Sequence, residues 1–299
     1  MAKKFIWTLL ICILLFIVGV YVFSHLRRTP VPNRNPASNW PTVPPPAATT
    51  PPPSVARNPK TPPPSETEGK NANPPAEPGF VLRPGEALEY NANVTQLNST
   101  VANLKIVAAE KRNLGGKSSW HLQAFAHTEN PYRMVFELDD EFDSYSDSPS
   151  MTSEQYEMHL SERGQKVDNV ERLLSSTSDP PPPGTSAARV LPGTRDPLGM
   201  LEYLRGVDWG HTTEVHSPVY DGRKLYNVRA VLVGKSPGVT VPAGKYNTIK
   251  VEIHVMDNGA EMKDAHFVLY LTDDANRLPV LMEAVLPVAT ARVELTKIK

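Results

Sequence analysis

Cysteine is nearly absent: Cys12 is the only one in 299 residues. That excludes an intramolecular disulfide framework and any cysteine-rich zinc site. An excess of positive charge is missing too, with 31 basic side chains against 32 acidic ones. So is every strong catalytic signature. No G-x-S-x-G, no H-E-x-x-H, no phosphate-binding glycine loop and no dinucleotide fingerprint occurs. What the chain has in plenty is proline, 31 residues, and they are unevenly placed. Residues 1–79 hold 8 Lys/Arg against 3 Asp/Glu, a net of +5, and 17 prolines fall between Pro30 and Pro78. Residues 80–299 hold 23 Lys/Arg against 29 Asp/Glu, a net of −6. This asymmetry divides the chain into an anchor (1–28), a linker (29–79) and a globular part (80–299). An acidic globular part argues against nucleic acid as a partner, because phosphate neutralisation needs clustered Lys and Arg.

Phe5 to Phe23 is an uncharged run of 19 residues. As a helix it spans about 28 Å, the thickness of a bilayer's hydrocarbon core. Trp7 and Tyr21 sit near its ends, where amphipathic rings favour the headgroup region. The competing reading is a cleaved signal peptide, whose apolar region is shorter, about 7–15 residues. Length and the flanking Arg27 and Arg28 favour an uncleaved signal-anchor. The expected topology is a single pass through a bacterial inner membrane, N-terminus cytoplasmic and globular part periplasmic. Between anchor and globular part, the proline clusters at 44–46, 51–53 and 62–64 lie in a segment with almost no bulky apolar side chains. Such a segment cannot offset chain entropy by burial, so the expectation is a disordered, polyproline-rich spacer.

From Phe80 onward the pattern changes to alternation with period two, the signature of half-buried strands. Leu88, Tyr90, Ala92 and Val94 form one apolar set; Trp120, Leu122, Ala124 and Ala126 another; Ile249, Val251, Ile253 and Val255 a third. Turn signals at Gly115-Gly116, Asp221-Gly222 and Asn258-Gly259 separate consecutive runs. The expected class is mainly all-β: an antiparallel meander of about ten strands forming a strongly curved sheet or barrel. One or two short helices interrupt it. Asp196-Pro197 reads as an N-cap followed by proline at the first helical position, with Leu198, Leu201 and Leu204 as the buried stripe. Tyr132 to Leu138 is ambiguous between helix and strand.

Two sets of side chains are candidates for a site. Trp120, Leu122, Tyr226, Phe267 and Met282 line the inside of the expected curl. They form either a solid core or the wall of a cavity for an apolar ligand such as a lipid chain. The acidic stretch Asp139–Asp147 is the densest polar feature, and Asp143, Ser144 and Asp147 are its candidate site residues. Oxygen-rich clusters can hold calcium, but an EF-hand needs glycine and glutamate where this chain has Ser144 and Ser150. A solvated acidic face is the better reading. The eight histidines are dispersed, so no metal site, cofactor or enzymatic activity is expected.

Six segments in order resemble the bacterial exported family known as domain of unknown function 3108: GEALEY (85–90), FDSYSD (142–147), DPLGMLEYLR (196–205), DGRKLYNV (221–228), PAGKYNTIKVE (242–252) and LTDDANRLPVLME (271–283). The resemblance covers about 85–297 and implies a β-rich domain of the cell envelope without an assigned reaction. The anchor and proline linker depart from the usual pattern of that family. The expected function is binding: a membrane-anchored β domain that holds a lipid or other apolar ligand, or an envelope partner. The alternative is a structural adaptor whose proline stalk sets a distance. A Ton-like energy transducer shares the plan of anchor, spacer and C-terminal domain, but His25 lies outside the membrane run and the domain is too rich in strands.

Overall fold

The computed structural model describes residues 82–114, 116–175, 186–262, 266–286 and 289–299. The expected membrane span Phe5–Phe23 and the linker 29–79 lie outside them, and no helix among the described residues is long and apolar enough to cross a membrane. The strands are β1 (Glu86–Val94), β2 (Ser99–Leu114), β3 (Lys117–Thr128), β4 (Asp139–Asp147), β5 (Ser153–Glu162), β6 (Gln165–Leu174) and β7 (Ser186–Arg189). The one α-helix among the described residues, α1 (Pro197–Gly206), precedes β8 (Glu214–Tyr220), β9 (Leu225–Val241), β10 (Gly244–Asp257), β11 (Ala260–Glu261), β12 (His266–Thr272), β13 (Pro279–Leu286) and β14 (Ala289–Ile298). The ambiguous stretch after Pro131 is a short 3-10 turn, Tyr132–Met134.

All fourteen strands belong to one sheet. β1 to β7 form one meander and β8 to β14 a second, and the two are joined where β1 pairs antiparallel with β14. The expected antiparallel arrangement holds except at one edge, where the four-residue β7 runs parallel to β6. β7 and β8 end the order and do not pair, so the sheet curls without closing into a hydrogen-bonded barrel. Side chains and one bridge stitch that seam. Arg195 pairs with Val219 of β8, the Tyr220 hydroxyl donates to Glu171 of β6 at 2.7 Å, and Asn169 of β6 donates to the Gly222 carbonyl at 3.3 Å. Gly222 has φ +91°, a left-handed conformation that favours glycine, and a Cβ there would have to push aside the Met158 methyl, 2.4 Å away.

The seam stays open because the chain between β7 and β8 carries α1 into the core. Every residue of α1 from Leu198 to Gly206 is buried, against β3, β4 and β8. Its N-terminus is capped by Asp196, whose Oδ1 accepts the Leu198 and Gly199 N–H groups at 2.9 Å each. The other carboxylate oxygen accepts the Ser144 hydroxyl of β4 at 2.5 Å, and the Asp196 N–H donates to Ser153 Oγ of β5 at 2.7 Å. Burial pushes the Asp196 carboxyl up, against the four hydrogen bonds that favour its charged form. At the other end Arg205, 1 % exposed, reaches Glu202 and Glu86 at 2.8 Å each. The Trp209 indole closes the helix by donating to the Leu204 carbonyl at 2.9 Å.

Two substitutions test this arrangement. Gly199→Ala gains up to about 1 kcal/mol in helix propensity. The added Cβ would however meet Ser146 Oγ at 2.7 Å, the Met151 carbonyl at 2.9 Å and Ser153 Oγ at 3.0 Å. The expected outcome is a lower urea midpoint; a higher one would show that the helix is not seated this closely. Arg205→Ala leaves the buried Glu202 and the partly buried Glu86 without their cation and is expected to cost about 3–5 kcal/mol by the same measurement.

Candidate functional site

Successive side chains of a strand point to opposite faces of the sheet. On β4 the even positions turn toward α1: Phe142 and Ser144 are buried there, and Ser144 meets Asp196. The odd positions face away from the helix. Register aligns Gln123 of β3, Asp143 of β4 and Glu157 of β5 in one row across that face. His121, Tyr145 and Gln155 form the next row. His121 Nε2 lies 2.6 Å from Asp143 Oδ1, and Gln123 donates to the same oxygen at 3.0 Å. The imidazole stacks on Tyr145, with centroids 4.6 Å apart and planes 2° from parallel. Its Nδ1 is buried with no hydrogen-bond partner among the described residues.

Further along β5, His159 Nε2 is 3.4 Å from Glu157 Oε2, and its Nδ1 is 2.8 Å from Asp168 of β6. The hydrogen bond to Asp168 holds the His159 pKa above its ordinary value, against the opposing effect of partial burial and with help from Glu157. One ligand atom each from Asp143, Glu157 and His159 lies within 4.8 Å of the others.

The candidate trio of the acidic stretch is thus dispersed. Asp143 belongs to the face away from the helix, Ser144 to the helix side, and Asp147 accepts the Ser150 hydroxyl at 2.7 Å at the strand's end. Asp143 and Ser144 are consecutive in an extended strand, so they cannot serve one reacting centre. Asp139 is held by Arg133 at 2.6 and 2.8 Å, which lowers its pKa. Asp140 turns inward and accepts the Ser161 N–H at 2.9 Å. No reading of the sequence singled out His121, Gln123, Glu157 or His159. Their only signal was the polar half of the alternation on β3 and β5.

All five residues of the apolar set are buried. Trp120, Leu122, Phe267 and Met282 belong to one continuous core that also contains Leu198, Met200, Leu201 and Leu204 of α1. Tyr226 lies outside that cluster, with Lys224 Nζ 5.4 Å from its ring centre. A cleft of about 380 Å³ lies elsewhere, lined by Glu89, Tyr90, Asn91, Asn103, Leu104, Lys105, Phe125, His127 and Thr296, and none of the five takes part in it. Most of its lining comes from the alternation positions of β1, β2 and β3 that face away from the core, and Lys105 Nζ stands 5.8 Å over the Phe125 ring.

Burial raises the Asp140 carboxyl pKa to about 7 from 3.8, despite the Ser161 N–H that favours its ionised form. The folded chain therefore holds this proton more tightly than the unfolded chain does. The contribution of Asp140 to stability is present below pH 3.8 and is lost as pH rises to about 7. Asp140→Asn removes that titration. The variant should lose less stability than the parent between pH 4 and pH 7.5 in urea unfolding, and parallel curves would show that Asp140 is ionised throughout.

The family described as protein of unknown function DUF3108 matches residues 89–296. No curated protein matches the chain. Among solved structures, a β-barrel-like protein of the domain of unknown function DUF1849 from Brucella abortus aligns at 12% identity and a TM-score of 0.48, covering 73% of this chain and 98% of that one. A Bacteroides fragilis protein of YmcC-like fold aligns at 12% identity and a TM-score of 0.34, covering 75% and 99%. A hypothetical protein of Chlamydia trachomatis aligns at 5% identity and a TM-score of 0.34, covering 73% and 87%.

Proposed function

We propose that the chain, which belongs to the family of proteins of unknown function DUF3108, is a single-pass inner-membrane protein that presents a non-enzymatic binding domain in the periplasm. The uncharged run Phe5–Phe23 and the 17 prolines that follow it support the anchored layout. One observation carries the site of binding: the space inside the curl is taken by α1, buried along its length and held at both ends by polar contacts. An apolar ligand inside would have to displace Leu198, Leu201 and Leu204 from the common core. The ligand therefore meets the face away from the helix, at the cleft between Lys105 and Phe125. A cation beside an aromatic ring, with Asn91 and Asn103 near it, suits an amphipathic ligand that carries an anionic group.

The test uses full-length protein in nanodiscs with Trp7 and Trp40 replaced by Phe, leaving Trp120 and Trp209, both 4 % exposed, as reporters of the interior. Phospholipid with brominated chains should leave their fluorescence unchanged. In cells, p-benzoylphenylalanine in place of Phe125 should give a covalent adduct that Lys105→Glu removes. Quenching of the two tryptophans without an adduct at position 125 would return the ligand to the interior and overturn the reading.

A further inference from the structure

We propose that Asp143, Glu157 and His159 form a binding site for a divalent transition-metal ion on the face of the sheet away from α1. The inference goes beyond the ligand cleft and stands independently of it. The three ligand atoms, all within 4.8 Å of one another, come from the middle of paired strands rather than from loops. Asp143 and Glu157 are direct cross-strand neighbours. Like charges opposite each other across a strand pair destabilise it. Among the described residues, neither carboxylate forms an ion pair with Lys or Arg; their ring partners are the imidazoles of His121 and His159. A bound cation would relieve that repulsion.

The surroundings are those of a supported ligand set. Asp168 takes the Nδ1 side of His159 at 2.8 Å, so that Nε2 faces Glu157 at 3.4 Å. Metal-ligating histidines are oriented in this way by a carboxylate on the other nitrogen. Asp143 is fixed through Oδ1 alone, by His121, whose side chain is 7 % exposed, and by Gln123. Metal–ligand bonds of about 2.0–2.2 Å would draw the three side chains slightly inward from their present spacing. The donor set selects the ion: calcium and magnesium take oxygen ligands, whereas an imidazole with two carboxylates suits Zn²⁺ and its neighbours. Three protein ligands leave a coordination position open to solvent or to a further group.

The experiment is titration of tag-free full-length protein with ZnCl₂ by calorimetry, with Co²⁺ absorption as a spectroscopic readout of the ligand set. The parent should bind one equivalent of Zn²⁺ that Mg²⁺ and Ca²⁺ do not displace. Glu157→Gln and His159→Ala should each abolish that equivalent and the visible Co²⁺ bands. Asp168→Asn, acting through His159, should weaken binding by about tenfold. His254→Ala, on β10, should change nothing. Thermal melting without metal checks that the variants fold, and His159 is exposed enough for its truncation to be tolerated. Zn²⁺ stoichiometry unaltered by His159→Ala and Glu157→Gln, or no binding by the parent, overturns the proposal.

Discussion

The fold depends on charge kept dry at the two ends of one short helix. Asp196 and Arg205 are both almost fully buried, and each is surrounded by groups drawn from distant strands. Asp196 gathers β4 and β5 through Ser144 and Ser153. Arg205 gathers β1 through Glu86 and the β12–β13 turn through the Asn276 carbonyl, 3.2 Å away. Burying an ion is costly unless geometry and hydrogen bonding compensate, so such groups tolerate few arrangements of their neighbours. That restriction sets where the helix sits, how far the sheet curls around it, and why β7 and β8 never meet. The seam has its own version of the same rule. Arg195 is buried with no carboxylate paired to it among the described residues, bound by the Ser150 carbonyl at 2.7 Å, the Ser217 hydroxyl at 2.9 Å and the face of Tyr203 at 3.6 Å, and burial lowers its pKa to about 10.

The two sheet faces divide the chemistry. Toward α1 lie the apolar alternation sets and a small number of serines that serve the helix cap. Away from it, the polar halves of β3, β4, β5 and β6 come together into rows of His, Gln, Asp and Glu. A residue's immediate neighbour in sequence is therefore not its partner in the site; its partners lie two positions along the same strand or on an adjacent strand. The Lys105–Phe125 cleft and the His159 cluster follow the same logic on the same face, built from side chains that the hydrophobic pattern treats as mere spacers.

This explains what could be read in advance. The alternation of β1, β3 and β10, the Asp196-Pro197 start of α1 and the Asp221-Gly222 and Asn258-Gly259 turns are local properties, and each appears where expected. The strand count was set too low, about ten against fourteen. Part of the shortfall was legible: Tyr156, Met158 and Leu160 alternate plainly along β5. β4 was hidden, because Asp140, Ser144 and Ser146 put polar atoms on its core side: Asp140 accepts the Ser161 N–H of β5, and Ser144, with Ser146 beside it, meets the helix cap Asp196. The leucine stripe of α1 implied one buried face and one wet face. Glu202 and Arg205 are buried as well, because Glu86 lies more than a hundred residues upstream and no periodicity announces it.

The pairing of β1 with β14 places the two termini of the domain side by side in the middle of the sheet. The backbones of Ala87 and Lys299 exchange hydrogen bonds at 2.9 and 3.1 Å, and Lys299 also pairs with Glu89. The chain that leads in from residue 82 therefore joins a strand flanked on both sides, by β2 and by β14. Tension applied along that chain loads two ladders of hydrogen bonds in shear, since those bonds lie across the strand axis. A domain hung from an edge strand would instead unzip one bond at a time. Pull that enters from residue 82 therefore meets a strand bonded on both sides rather than an edge.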